Sequence, residues 1–302
     1  MSGPVISIIT ATYNRSNILV YSIQSVLNQT FKDWELIVVG DCCTDDTEAV
    51  VNGFSDPRVR FINLKENFGE QSGPNNVGLK QSTGDFIAFL NHDDLWFPDH
   101  LEYSLSVLES SQADLVLAGG FIDHHLEQHD FYLSGVLSQK YGYHPSYTFV
   151  PASNWLFKRE LIKDVGYWRS ARELYLAPSH DWLKRVHEAG KRIEATKNFT
   201  VIALPSSSRK NAYKDRLSHD SQYYSEQLRD NPHFREQLVI KHLYRCFEEN
   251  YYDERTYYWR FFTKRIKAVF IKLGFNTIEF NLRRAYGKGG LIAAYRKKRG
   301  LN

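Results

Sequence analysis

The sequence predicts an α/β fold: a doubly wound, mostly parallel sheet followed by a helical, basic C-terminal region. Three observations predict it. Short β-branched runs alternate with helix-spaced segments from Val5 to Leu117. Each of the first four runs ends in a polar loop. Beyond Ser206 the pattern turns helical, rich in Tyr and increasingly basic. The first run, Val5 to Thr10, has the β-branched composition of a buried strand. Ile18, Leu19, Ile23, Val26 and Leu27 then recur on one helical face, which predicts a helix to Asn28. Trp34 to Val39 is a second strand, and Thr44, Asp45 and Asp46 offer N-caps for a helix through Phe54. Val59 to Asn63, a helix over Gly73 to Gln81, a strand over Asp85 to Leu90, a helix over Pro98 to Ser110 and a short strand at Leu115 to Leu117 complete the alternation.

The rhythm changes after Gly119. His124 to Pro145 reads as a long loop or antiparallel excursion, Thr148 to Phe157 as a strand, and Arg159 to Val165 as a short helix. His180 to Ala189 is amphipathic and closed by Gly190, and Ile193 to Leu204 is a last strand region. The predicted division is a domain over 1–205, with halves at about 1–97 and 98–205, and a helical region over 206–302.

The net charge of +3 hides an asymmetry. Thirteen Lys or Arg and one acid, Glu279, fall between Arg255 and Asn302, so an acidic body carries a basic tail. Three cysteines, two of them adjacent, do not make a disulfide framework and suit a reducing, cytoplasmic setting. The N-terminal residues lack the pattern of a signal peptide, and no apolar run reaches the ~18 residues of a membrane span.

Asn91-His92-Asp93-Asp94 is the most informative segment. It follows the apolar run Phe86 to Leu90. Adjacent carboxylates at a buried strand end repel each other unless a cation lies between them, and hard divalent ions take carboxylate and phosphate oxygens. The pattern therefore predicts a metal–diphosphate site, with a helix N-cap as the alternative. In open α/β sheets, ligands bind at the carboxyl edge of the strands. Gly40 to Asp46, Asn67-Phe68-Gly69 with Gly73 to Asn76, and the Thr10 to Arg15 turn all converge there. Trp96, Trp155 and Trp182 are candidates for an acceptor groove, core packing being the alternative for Trp155. His124, His125 and His129 read as surface residues. The aromatic, basic tail suits an anionic membrane surface; nucleic acid is the competing partner of such a stretch and is not expected.

The segments ISIITATYNR, WELIVVGDCCTDDT, NFGEQSGPNNVGLKQSTGDFIAFLNHDDLW and APSHDWLKRVHEAG, in that order, resemble a family-2 glycosyltransferase of GT-A fold. The resemblance implies transfer of a sugar, with inversion, from a nucleotide-sugar donor, commonly a UDP-sugar, to a saccharide or lipid-linked acceptor of the cell envelope. It implies a divalent cofactor, Mn²⁺ or Mg²⁺. It places Thr10, Ala11, Tyr13, Arg15 and Asn76 in the nucleotide pocket and Asp41 on the base. Asn91 and Asp93 stand at the ends of the family's metal motif, with Asp94 as a further metal or donor ligand. Asp181 takes the place of the catalytic base, with His180 beside it toward the acceptor. Gly40, Cys42-Cys43, Asn91 and His180 depart from the usual Asp, Gly-Ser, Asp and Glu. A basic tail near a lipid-linked acceptor implies a peripheral position at the cytoplasmic membrane face. Two rivals remain: a nucleotidyltransferase, though TATYNRSN lacks the glycines of a phosphate loop, and a non-catalytic domain that binds nucleotide or membrane.

Overall fold

The computed structural model describes residues 4–124, 131–137, 142–252 and 254–301. His125 and His129 lie outside them. Among the described residues one nine-stranded sheet organises the chain. Its first half is parallel: β3 (Val59–Asn63), β2 (Trp34–Gly40), β1 (Ile6–Thr12) and β4 (Phe86–Phe89), in that order. The second half is mixed. β8 (Trp155–Lys158) runs antiparallel to β4 and to β6 (Leu115–Asp123), and β9 (Ile193–Ala203) runs parallel to β6. β5 (Leu95–Trp96) pairs with β9 at the edge, and β7 (Phe131–Ser134) pairs with β6.

The period of two along β1 builds two cores. Ile6 and Ile8 point to one face, where Leu19 and Ile23 of α1 (Ser16–Leu27), Val51 of α2 (Thr47–Gly53) and Leu101 and Leu105 of α4 (His100–Ser111) cover them. Ile9 points to the other, toward Leu79 of α3 (Ser72–Gln81), Leu161 of α5 (Leu161–Val165) and Leu183 and Val186 of α6 (Pro178–Glu188). Ser7 is the polar exception on this face. Its hydroxyl donates to Glu35 (2.6 Å) and accepts from the Gly84 amide (2.8 Å), so it is satisfied although buried.

Most predicted elements are present, within two or three residues of their expected ends. The differences fall in the second half. β6 runs six residues past Leu117. The strand expected over Thr148 to Phe157 is confined to β8, after a 3-10 turn at Ala152–Asn154. β5 was not expected, whereas β7, antiparallel to β6, matches the antiparallel excursion that was one of the two readings of His124 to Pro145.

After residue 205 come α7 (Ala212–Asp215), α8 (His219–Asp230), α9 (Phe234–Tyr252), α10 (Glu254–Lys272), α11 (Thr277–Ala285) and α12 (Gly290–Arg299). Part of this region shares a core with the sheet: Tyr224, Phe234 and Leu238 pack on Leu95, Phe97, Phe121 and Ile202. Arg235 pairs with Asp99, and the Tyr224 hydroxyl donates to Asp123 (2.6 Å). α12 returns to the carboxyl edge of the parallel strands, where Arg296 donates to the Gly69 carbonyl (2.7 Å).

Candidate active site

A cavity of about 570 Å³ opens at the carboxyl ends of β1, β2 and β4. Ala11, Thr12 and Tyr13 line it from β1 and its loop, Asp41 from the end of β2, Gly69 and Glu70 from the loop after β3, and Asn91 to Asp94 from the end of β4. The opposite wall comes from His124, Phe149 and the first turn of α6, Pro178 to His180. The third wall is C-terminal: Ser206, Tyr213, Ile278 and Leu282, with Tyr295, Arg296 and Arg299 of α12. This is the strand-end crevice expected of an open α/β sheet.

Asp41 sets the shape of one end. Its carboxylate accepts the amides of Phe68 (2.7 Å) and Gly69 (2.9 Å), and Asn67 donates to its carbonyl (2.7 Å). Gly69 sits at φ +78, a conformation glycine adopts without strain. Burial pushes the Asp41 carboxyl up against the pull of those two amides.

The two adjacent acids divide their work. Asp94 is enclosed: Leu204 N–H donates to one oxygen (2.9 Å), while Asn91 Nδ2 (2.8 Å) and the Ser153 hydroxyl donate to the other. Burial, and then the neighbouring Asp93 charge, push its carboxyl up. Asp93 accepts from Ser206, whose N–H donates at 3.0 Å. Burial alone would raise its carboxyl too, but His92, the Ser206 amide and Arg299 hold it low. Asp93 is therefore the more available anion. Asn91 spends its side-chain amide on Asp94.

His92 is clamped between the Ala11 carbonyl, to which Nδ1–H donates (3.1 Å), and the Tyr213 hydroxyl (3.4 Å). Burial lowers its pKa.

Some sequence-predicted residues meet at this cavity and others do not. Ala11, Tyr13, Asp41, Asn91, Asp93, Asp94 and His180 line it. Thr10 is buried within β1. Arg15 turns away from the wall, donating to the carbonyls of Ala212 and Leu217 and lying against the Tyr213 ring (5.3 Å). It ties the C-terminal segment down. Asn76 exchanges two 2.9 Å hydrogen bonds with the Trp168 backbone and fixes the loop before α6. None of the three tryptophans lines the cavity. Trp155 and Trp182 stack on each other (5.6 Å) at 0% exposure, and Trp96 stacks on His100 (4.2 Å) while donating to the Ser153 carbonyl (2.8 Å). Their size is spent on the core. Asp181 also lies off the cavity wall, bound to Arg185 Nε (2.9 Å) and near Arg169 (3.8 Å).

Sequence reasoning missed Tyr213, Ser206, Arg296 and Arg299. The three-residue spacing of the two arginines was the available signal, since it puts both on one helix face.

Residues 7–166, about half the chain, match the family model of glycosyl transferase family 2. The chain belongs to this family. Among its relatives are two Escherichia coli proteins described as UDP-Glc:α-D-GlcNAc-diphosphoundecaprenol β-1,3-glucosyltransferases. WfgD is 39% identical over 108 residues, 36% of this chain and 42% of the relative. WfaP is 29% identical over 168 residues, 54% of this chain and 64% of the relative. The matched part thus spans roughly half the length of these relatives. Solved structures similar in fold include Staphylococcus aureus TarS 1-349 in complex with UDP (TM-score 0.54, 21% identity, 78% of this chain and 64% of that one). Another is the mannosyltransferase PcManGT of Pyrobaculum calidifontis in complex with GDP-Man and Mn²⁺ (TM-score 0.53, 15% identity, 98% and 87%). The family-2 chain has the GT-A fold.

A divalent ion suits the donor chemistry of the cavity in one respect. Asp93 presents a carboxylate oxygen toward a space large enough for a diphosphate, and such ions are commonly held by one or two carboxylates plus phosphate oxygens. Asp94, with its oxygens already bonded, is the weaker candidate. Among the described residues no group of three acidic, His or Cys side chains forms a cage.

Proposed function

We propose that this chain moves a sugar from a nucleoside-diphosphate sugar, a UDP-sugar, to a hydroxyl of a lipid-linked saccharide of the cell envelope, with inversion at the anomeric carbon. The observation that carries this reading is the cavity itself. It joins an acid at the end of β2, a low-pKa carboxylate at the end of β4 and two arginines from α12 around a space of about 570 Å³. Asp41, with the loop it braces, would meet the base. Tyr13 and Tyr213, 6.5 Å apart and stacked, would border the nucleoside. Arg299 and Arg296 would face the diphosphate, on which negative charge builds as the sugar leaves. Asp93 would hold Mn²⁺ or Mg²⁺, which when bound supplies further positive charge to that leaving group. The donor and acceptor by which WfgD and WfaP are described, and the UDP in the TarS complex, support the choice of donor and acceptor class.

The acceptor side faces a lipid surface in this reading. Among the described residues no helix is long and apolar enough to cross a membrane. However, Trp259, Phe262, Ile266, Val269 and Phe270 of α10, Leu273 just after it and Phe280 of α11 are exposed, on a region that is strongly basic. Apolar side chains that enter the interface and cations that meet anionic headgroups make a peripheral anchor. The test is turnover of a panel of nucleotide sugars with N-acetylglucosaminyl-diphosphate lipid in anionic vesicles. Release of UDP from one UDP-sugar, dependent on the acceptor, is the expected result. No binding of UDP by calorimetry would overturn the reading.

A further inference from the structure

We infer that His180, rather than Asp181, takes the proton from the acceptor hydroxyl, an assignment that rests on the transfer reaction proposed above. Asp181 lies off the cavity wall and is tied to Arg185 Nε at 2.9 Å. Arg185 in turn donates to the carbonyls of Val165 and Tyr167, so the Asp181–Arg185 pair braces α6 against the loop before it. His180, one residue earlier, lines the cavity from the first turn of the same helix.

Other titratable groups on the wall are engaged. Asp41 accepts the Phe68 and Gly69 amides, Glu70 accepts the Ser72 amide, Asp93 accepts the Ser206 amide and His92 spans the Ala11 carbonyl and Tyr213. His180 differs. Its Nε2–H donates to the Pro145 carbonyl at 2.8 Å, and among the described residues no bond to Nδ1 is found. That one bond fixes the tautomer: the proton sits on Nε2 and the lone pair on Nδ1. Phe149, with its ring centre 6.0 Å away, packs beside the imidazole.

The surroundings keep the ring neutral. Burial lowers its pKa most, and Lys184 on the next turn lowers it further; the Pro145 bond, Asp181 and Glu279 of α11 pull the other way without reversing the direction. A helix N-terminus also disfavours a positive charge. A neutral imidazole with a fixed, unbonded nitrogen on a cavity wall has what a general base needs.

The step balances. The acceptor oxygen forms its bond to the anomeric carbon as the bond from that carbon to the diphosphate oxygen breaks. The electron pair leaves on the nucleoside diphosphate, and the hydroxyl proton passes to His180 Nδ1 and later to water.

The test compares wild type, His180→Gln and Asp181→Asn with UDP-glucose and N-acetylglucosaminyl-diphosphate lipid, measuring UDP release, UDP affinity and the pH profile of kcat/KM. Glutamine can still donate to Pro145 but cannot accept a proton. His180→Gln is expected to lose about 10²- to 10⁴-fold in rate, the range for loss of a general base, with UDP affinity within twofold of wild type. Wild type should show an acid limb set by a group below the ordinary histidine value, and the variant should lack it. Asp181→Asn should keep its rate per folded molecule to within a few fold and keep the acid limb. Near-normal turnover by His180→Gln, survival of its acid limb, or a hundredfold loss in Asp181→Asn alone would each overturn the assignment. The wild-type profile needs no variant to fold, and an acid limb above the ordinary histidine value would also count against His180. A wild type that binds no UDP would instead overturn the reaction itself, and the role of His180 with it.

Discussion

His100 offers a quantitative test of how the floor of the site is held. It is fully buried at the start of α4, stacked on Trp96, with Nδ1 bonded to the Thr200 hydroxyl (2.9 Å) and Nε2 without a partner among the described residues. Trp96 carries the Ser153 carbonyl, and the Ser153 hydroxyl donates to Asp94, so the ring lies two contacts beneath the acids of the cavity. Burial pulls its pKa down to about 3 from the ordinary 6.5. A histidine with a depressed folded pKa contributes stability that is present above the unfolded pKa and lost as pH falls toward the folded one. Between pH 7 and pH 5 the unfolded chain takes up this proton and the folded chain does not, which costs about 2 kcal/mol by linkage. The figure holds for any folded value well below 5. His100→Asn can keep a polar atom near Thr200 and removes the titration. Its own packing cost shifts stability equally at both pH values. Urea unfolding at pH 7 and pH 5 should therefore show wild type losing about 2 kcal/mol more than His100→Asn over that interval, other groups cancelling. Equal losses in the two proteins would show that the ring is protonated, or hydrated, in the native state and would refute the reasoning.

Three further outcomes follow from the site. Asp93→Asn should weaken UDP binding in Mn²⁺ by roughly 10- to 100-fold, the scale of one charge-assisted contact, and change it much less in chelator; calorimetry with and without metal reads the difference. Arg299→Ala should weaken UDP binding by a similar factor with or without metal, and equal UDP affinity in wild type and variant would remove α12 from the donor site. The protein should co-sediment with anionic vesicles at low salt and be released as salt screens the attraction. Replacing Trp259, Phe262 and Phe270 with Ser should abolish that binding while leaving UDP affinity unchanged.

The parallel half of the fold was legible because each of its elements is local. β1, β2 and β4 are apolar runs with polar ends, and the edge at which those ends meet follows from parallel connection alone. The antiparallel half was less legible for tertiary reasons. β5 is two residues long and exists because Leu95 and Trp96 pair with Ile202 and Val201. β6 was expected to stop before Gly119 and Gly120, which break a strand pattern. Both are needed there: a Cβ at Gly119 would lie 2.7 Å from the Asn198 carbonyl, and one at Gly120 2.7 Å from Asn154 Nδ2. At the site, Asp41 and Asp93 could be read from their places after strands. The facing of His180 and Asp181 could not, because it depends on how α6 enters from Ala177. The arginines of α12 read as part of a tail, and only the return of the chain to the sheet edge brings them to the cavity wall.

That return has a consequence for biosynthesis. The cavity draws its first wall from residues 11–13 and another from residues 291–299. During translation the sheet can assemble while α12 is still in the ribosome. Until then the crevice lacks Arg296 and Arg299, and the Gly69 carbonyl lacks its donor. A nascent chain would thus present an open, under-charged groove, and donor sugar would be retained only after the closing helix docks.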